Sequence, residues 1–273
     1  DHRDLHSFPT RRSSDLYVTP LAGIREAVGK KTKVIYAKGC KLNTTSKSSW
    51  GEPPTSGFAE ALAAAERAEV VIMCLGLSPD LEGEEGAVAN SDGGGDRNCL
   101  KLPGMQEELL KAVATTGKPI ILALFNGSPV AINWAQDNLP AIIEAWYPGE
   151  EGGTALAEAI FGDSNPAGKL PITFVKSIEQ LPPFTDYNMK GRTYRYMEEE
   201  PLYPFGYGLS YTVFEYTNLM VSDTKLNTTE DKELRVTVEV ENSGECAGDE
   251  VVQFYVEDVE ASVSVPKWEL KGG

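Results

Sequence analysis

The chain has 273 residues and is 41% hydrophobic, 24% charged and 9% aromatic, the mix of a globular protein of about two domains. Its 25 Lys and Arg against 41 Asp and Glu leave a net charge of −16, which excludes the basic face that nucleic-acid binding needs. No apolar run approaches the ~20 residues that span a bilayer, so no membrane partner is expected.

Residues 1–16 (DHRDLHSFPTRRSSDL) show neither helical nor strand periodicity. Arg11-Arg12 has no apolar stretch behind it, as a twin-arginine signal would require. Phe8 to Leu16 is also the in-frame reading of a common sequencing-adapter string, so residues 1–16 are expected to be a non-native leader. The leader carries three Asp and three Arg, so removing it leaves the net charge unchanged. It also carries both histidines, His2 and His6. A Ser-His-Asp triad, a Cys-His pair and HExxH zinc therefore drop out of the remainder. Catalysis there must rest on carboxylates, Lys, Tyr, Cys or Arg.

From residue 17 to about 180, β-rich runs alternate with helical patterns. Lys33–Ala37 reads as a strand. Phe58–Ala68 is rich in alanine and reads as a helix, with Thr55 or Ser56 near its N-cap. Val70–Leu75 is a continuous apolar run, as in a strand buried on both faces. Met105–Ala114 is amphipathic and stops at Gly117. Pro119–Phe125 reads as a second buried strand, Ala141–Trp146 as a further one, and Thr154–Phe161 as a helix ending at Gly162. This alternation predicts an α/β fold with a largely parallel sheet. Residues 181–210 are rich in Pro, Tyr and Gly and read as an ordered crossing segment. From Tyr211 the period becomes two. Leu234–Val240 alternates, Asn242-Ser243-Gly244 turns, and Val251–Val256 follows. That is β-sandwich patterning with about three strands visible, where a sandwich needs about seven.

The segment that carries chemistry is Gly76–Gly86, which follows the strongest strand. In open α/β sheets, loops at the carboxyl ends of strands line the ligand crevice. Glu82, Glu84 and Glu85 lie within four residues between glycines. A general acid needs a raised pKa, which burial or a neighbouring like charge supplies. The same residues also suit a solvated acidic loop. Gly93-Gly94-Gly95-Asp96-Arg97 is not GxGxxG and has no GK[ST], so it is not a phosphate loop. Asp96 and Arg97 suit either an anchoring ion pair or substrate contacts. The four cysteines form no CxxC pair, and Cys74 reads as packing. No metal or cofactor is implied. Asn43-Thr44-Thr45, Asn126-Gly127-Ser128 and Asn227-Thr228-Thr229 match the glycosylation sequon.

Seven blocks in order resemble the C-terminal half of glycoside hydrolase family 3, of the β-glucosidase and β-xylosidase kind. They are Gly76–Glu84 (GLSPDLEGE), Gly95-Asp96-Arg97, Leu102–Gln106 (LPGMQ) and Trp146–Gly153 (WYPGEEGG). Phe161–Pro171 (FGDSNPAGKLP), Gly191–Tyr196 (GRTYRY) and Tyr203–Tyr211 (YPFGYGLSY) complete the set. The resemblance implies a (β/α)8 barrel, then a six-stranded α/β sandwich, then a fibronectin type III-like β-sandwich. Residues 17–210 would be the α/β sandwich and 211–273 a truncated third domain. The barrel, which holds the family's nucleophilic aspartate, has no counterpart here and would be the missing partner domain. Retaining glycosidases set a nucleophile and an acid/base with carboxyls ~5–5.5 Å apart. The resemblance places the acid/base glutamate in the Gly76–Gly86 loop. Matching forward from Gly76, as in xylosidase-like members, lands on Glu84. Matching backward from Asp96-Arg97, as in glucosidase-like members, lands on Glu85. Glu84 is preferred, Glu85 is kept, and Glu82 ranks third.

The implied function is part of an exo-acting β-glycosidase that takes β-linked oligosaccharides and cannot turn over alone. A non-catalytic carbohydrate-binding or interaction module is the alternative. A nucleotide-binding domain would need a Gly-rich turn after the first strand, where Gly39-Cys40-Lys41 offers none. Family members are often secreted or periplasmic. The Tyr-rich blocks at 191–196 and 203–211 read as packing across the interdomain seam.

Overall fold

The structure is a computed structural model and describes residues 17–43, 53–79, 81–82, 97–225 and 233–272. The expected leader and the Asn227 sequon lie outside the described residues.

Three strands form a parallel sheet in the order β1 (Val71–Gly76), β2 (Ile120–Phe125), β3 (Ala141–Glu144). Met73 pairs with Leu122, and Leu122 with Ile142. Parallel neighbours need long crossovers. The first runs through α3 (Gln106–Ala114) and the second through α4 (Asn133–Asn138). Helix α3 turns Leu109, Leu110 and Val113 inward, at the spacing that made it amphipathic. They meet Met73, Leu75, Leu122 and Leu124 of the sheet and Ala65 of α2 (Phe58–Glu66) in one core. Each fully buried leucine there contributes roughly 1.5–3 kcal/mol of transfer free energy.

Helix α1 (Pro20–Val28) packs on α5 (Gly152–Phe161). The Thr19 side chain caps α1 by accepting from the Ala22 N–H at 3.2 Å, and Pro20 follows at the start. The helices touch through glycines. A Cβ on Gly23 would lie 2.1 Å from the Gly153 carbonyl oxygen, and one on Gly153 would lie 2.1 Å from that of Thr19.

One expectation changes. Residues 33–37 form no strand. Val34-Ile35-Tyr36 has the composition of one, but a strand needs a ladder partner, which these residues lack among the described residues, and Tyr36 stays exposed. The N-cap position of α2 is Gly57, one residue past Ser56. The α/β class stands, with three parallel strands among the described residues.

The remaining strands pair in twos. β4 (Phe214–Val221) runs antiparallel to β5 (Val236–Asn242), with a register shift between Thr217 and Met220. β6 (Phe254–Val256) runs antiparallel to β7 (Glu269–Gly272). At four residues, β7 is too short to show a period. The crossing segment binds these pairs to the α/β unit. Asn165 holds Ser210, the Tyr211 N–H and the Ala247 carbonyl. Lys169 pairs with Glu250 at 3.3 Å. Tyr194 stacks on Phe205 with ring centroids 4.3 Å apart and meets Tyr255 edge-on at 5.9 Å. These aromatics pack the seam between the crossing segment and β6.

Candidate active site

The carboxyl ends of β1, β2 and β3 converge on one partly buried cluster, the position where α/β sheets build ligand crevices. After β1 the chain turns at once, with the Leu81 N–H donating to the Ser78 carbonyl at 2.9 Å. This turn delivers Glu82. Its carboxylate accepts from the Gly127 N–H at 2.8 Å, from the Ser128 hydroxyl and from the Tyr147 hydroxyl. Arg97 Nη1 lies 3.6 Å away, and both side chains are nearly buried. Gly127 follows β2 and Tyr147 follows β3, so one carboxylate ties three loops together. Gly127 must lack a side chain there: a Cβ would come within 2.8 Å of the Tyr147 ring and 3.1 Å of a Glu82 oxygen.

Arg97 extends the brace. It donates to Ser128 Oγ at 2.6 Å, the Pro129 carbonyl at 3.3 Å and the Cys99 carbonyl at 3.0 Å. Beside it a crevice opens between Leu77, Leu81, Arg97, Cys99, Lys101 and Pro103. Below, Gln106 is fully buried at the start of α3. It accepts from the Gly76 N–H at 2.7 Å and donates to the Gly76 carbonyl at 2.8 Å and the Leu42 carbonyl at 2.9 Å. This fixes the chain where β1 hands over to the loop.

Burial unsettles the neighbouring groups. Burial, with the Glu82 charge adding to it, pushes the Glu144 carboxyl up to about 7, against the opposing pull of the Trp146 N–H and the Asn126 side chain. Burial and the bond to Glu82 push the Tyr147 hydroxyl well above the usual tyrosine range. Tyr203 is raised to about 12, first by burial and then by Tyr207 and Glu144. Trp146, two residues after Glu144, holds a positive φ of 51°, a strained conformation for a bulky residue.

Of the predicted site residues, Glu84, Glu85 and Asp96 lie outside the described residues. Glu82 and Arg97 are brought together. Among the described residues no group of three or more His, Cys, Asp or Glu is gathered as a metal site would be. Likewise among those residues, no helix is long and apolar enough to cross a membrane. Sequence reasoning gave no site role to Glu144, Tyr147, Ser128, Asn126 or Gln106. Signals existed for four of them. Tyr147 and Gln106 lie inside two of the seven blocks, while Asn126 and Ser128 belong to a sequon. The sequon reading fails at Asn126: its side chain is fully buried, and Nδ2 donates to the Ser128 carbonyl at 3.1 Å, so a glycan has no access.

Residues 6–211 match the family model of the glycosyl hydrolase family 3 C-terminal domain, and the chain belongs to that family. It is 41% identical over 261 residues to a β-xylosidase of Formosa agariphila, covering 94% of this chain and 34% of that protein. It is 38% identical over 279 residues to a periplasmic β-glucosidase of Salmonella typhimurium, covering 93% of this chain and 35% of that protein. Among solved structures, a β-glucosidase from Erythrobacter marinus superposes with a TM-score of 0.79 at 36% identity, over 94% of this chain and 36% of that one. The chain thus spans about a third of the length of these relatives.

Proposed function

We propose that this segment supplies the general acid/base of an exo-acting retaining β-glycosidase, a β-glucosidase or β-xylosidase acting on β-linked oligosaccharides in carbohydrate catabolism. Supporting it is similarity across nearly the whole chain to a β-xylosidase and a β-glucosidase. Residues 17–210 are proposed as the α/β sandwich, six-stranded in full, and 211–273 as part of a fibronectin type III-like domain. Glu84 is the proposed acid/base, with Glu85 as the alternate. The observation that favours them is the state of Glu82. Its carboxylate is held by three donors and faces Arg97, so it serves as the anchor of the loop. Glu84 and Glu85 follow it by two and three residues. For Asp96-Arg97, the contacts of Arg97 support anchoring first and substrate contact second.

The nucleophile belongs, in this reading, to a separate barrel domain, and without it no glycosyl-enzyme forms. Aryl β-glucoside and β-xyloside assays on this chain alone are expected to show no turnover. Near-native turnover would refute the division of labour. The name of the periplasmic relative supports a secreted or periplasmic setting. A second reading, carbohydrate binding without catalysis, draws on Phe184 and Tyr187, each 90% exposed on one loop. Calorimetric titration with xylo- and cello-oligosaccharides separates the two: micromolar binding favours this second reading.

A further inference from the structure

Asn126-Gly127 is the single Asn-Gly pair in the sequence. Such a pair is chemically labile: the glycine nitrogen can attack the side-chain carbonyl of the asparagine, with no Cβ to hinder the approach. The N–Cγ bond forms, the Cγ–Nδ2 bond breaks, and the Gly127 amide proton departs with the amine as ammonia. Water then opens the cyclic imide to aspartate or isoaspartate. The fold leaves neither residue free to be something else. A Cβ at position 127 would come within 2.8 Å of the Tyr147 ring and 3.1 Å of a Glu82 oxygen. Asn126 is fully buried, and its Nδ2 donates to the Ser128 carbonyl at 3.1 Å, shaping the turn that carries two of the three donors on Glu82.

We propose that Asn126-Gly127 is a latent deamidation site, held inert by the Glu82 brace and open to reaction only when that brace loosens. Each atom of the reaction is held in the wrong state. The nucleophile is the Gly127 nitrogen, which must first lose its proton; that N–H donates to the Glu82 carboxylate at 2.8 Å, and a neighbouring negative charge disfavours a second anion. In the tetrahedral intermediate, negative charge develops on Asn126 Oδ1. That oxygen is buried and finds no donor among the described residues, so the oxyanion has nothing to stabilise it. The leaving amine, Nδ2, is tied to the Ser128 carbonyl and also donates to the Glu144 carboxyl. The Ser128 and Tyr147 hydroxyls, with Arg97 at 3.6 Å, keep Glu82 in place over the pair. An aspartate at 126 would add a further carboxyl beside Glu82 and Glu144, so conversion would loosen the turn and the brace together.

The inference is independent of the proposed function, since every atom in it belongs to this chain. The test is deamidation of the 126–127 peptide, read by peptide mapping as the mass gain from amide to acid and as isoaspartate, in warm, mildly alkaline buffer. The folded chain is compared with the same chain unfolded in urea. Reaction in the folded chain requires opening of the Gly127 and Asn126 bonds, and should run roughly fiftyfold slower than in the unfolded chain. Glu82→Ala, which removes the acceptor and the charge, should raise the folded rate about tenfold. Glu82→Gln keeps an acceptor oxygen without the charge and should fall between the two. If Glu82→Ala does not fold, Tyr147→Phe replaces it: loss of one donor on Glu82 should raise the folded rate about fivefold. A folded wild type that deamidates as fast as the unfolded chain would overturn the proposal. So would a folded Glu82→Ala, or in its place Tyr147→Phe, that reacts no faster than wild type.

Discussion

The parallel sheet and the two antiparallel pairs are built from similar residues but hold themselves differently. In the sheet, Leu122 is 0% exposed, because α2, α3 and α4 cover its face. In β4, Leu219 is 66% exposed, and Tyr216, Met220 and Val221 are exposed with it. The first region covers its own apolar face. The second is held by the seam, through Asn165, Lys169 and the Tyr194 stack. A two-stranded pair is marginal in water unless something packs on it. Stability is therefore expected to be concentrated in the α/β unit, and the carboxylate cluster sits on that stable part.

The sharpest way to break this contrast is a truncation on each side. Leu122→Ala should cost about 2–5 kcal/mol, read from the urea midpoint. Leu219→Ala on β4 should change it by under about 0.5 kcal/mol. Similar costs at the two sites would mean that the pairs carry a core of their own.

The next effect is electrostatic. Glu144 keeps its proton in the folded chain up to about pH 7, but loses it near 4.5 when unfolded. Its contribution is therefore fully present below pH 4.5 and is lost as pH rises, with the loss complete above about pH 7. The total is about 3 kcal/mol. Urea melts at pH 4.5 and 8 should show this loss in the wild type, and a smaller one in Glu144→Gln.

Gly153→Ala comes third. Its Cβ would press on the Thr19 backbone, so α1 must shift away from α5, at about 1–3 kcal/mol. Loss of protection in α1 amides checks it. The smallest effect belongs to the seam. Asn165→Ala should cost about 1 kcal/mol and deprotect β4 and β5 while leaving β1 to β3 unchanged. Equal deprotection of the sheet would contradict the separation of the two regions.

The sequence was most legible where local pattern decides. The continuous runs of β1 and β2 and the stripe of α3 are found within a residue or two of their bounds. Helix α1 has a clear start signal in Thr19-Pro20, but its short amphipathic stripe, buried only at Gly23 and Ile24, is faint. Residues 33–37 show the converse: a strand-like composition does not provide a partner. The site was half legible. An acidic loop after β1 is a local feature. The bond from Gln106 to Gly76 spans thirty residues, and the bond from Tyr147 to Glu82 spans sixty-five. No periodicity encodes such meetings, so Gln106 looks like an ordinary surface residue of an amphipathic helix. Glu144 closes an apolar strand, where the end of a strand and a partly buried acid look alike.

The central claim is that the loop tied down at Glu82 presents the acid/base at Glu84 or Glu85. It is tested most directly in an enzyme that joins this segment to the nucleophile-bearing domain proposed above, by comparing Glu84→Gln, Glu85→Gln and Glu82→Gln. One of the first two should lose about 10²–10⁴ in kcat on a glycoside with a poor leaving group, lose far less on an activated aryl glycoside, and be rescued by azide. Glu82→Gln should weaken both substrates alike and gain nothing from azide, as expected of an anchor. Azide rescue in Glu82→Gln, with Glu84→Gln and Glu85→Gln near wild type, would contradict the account.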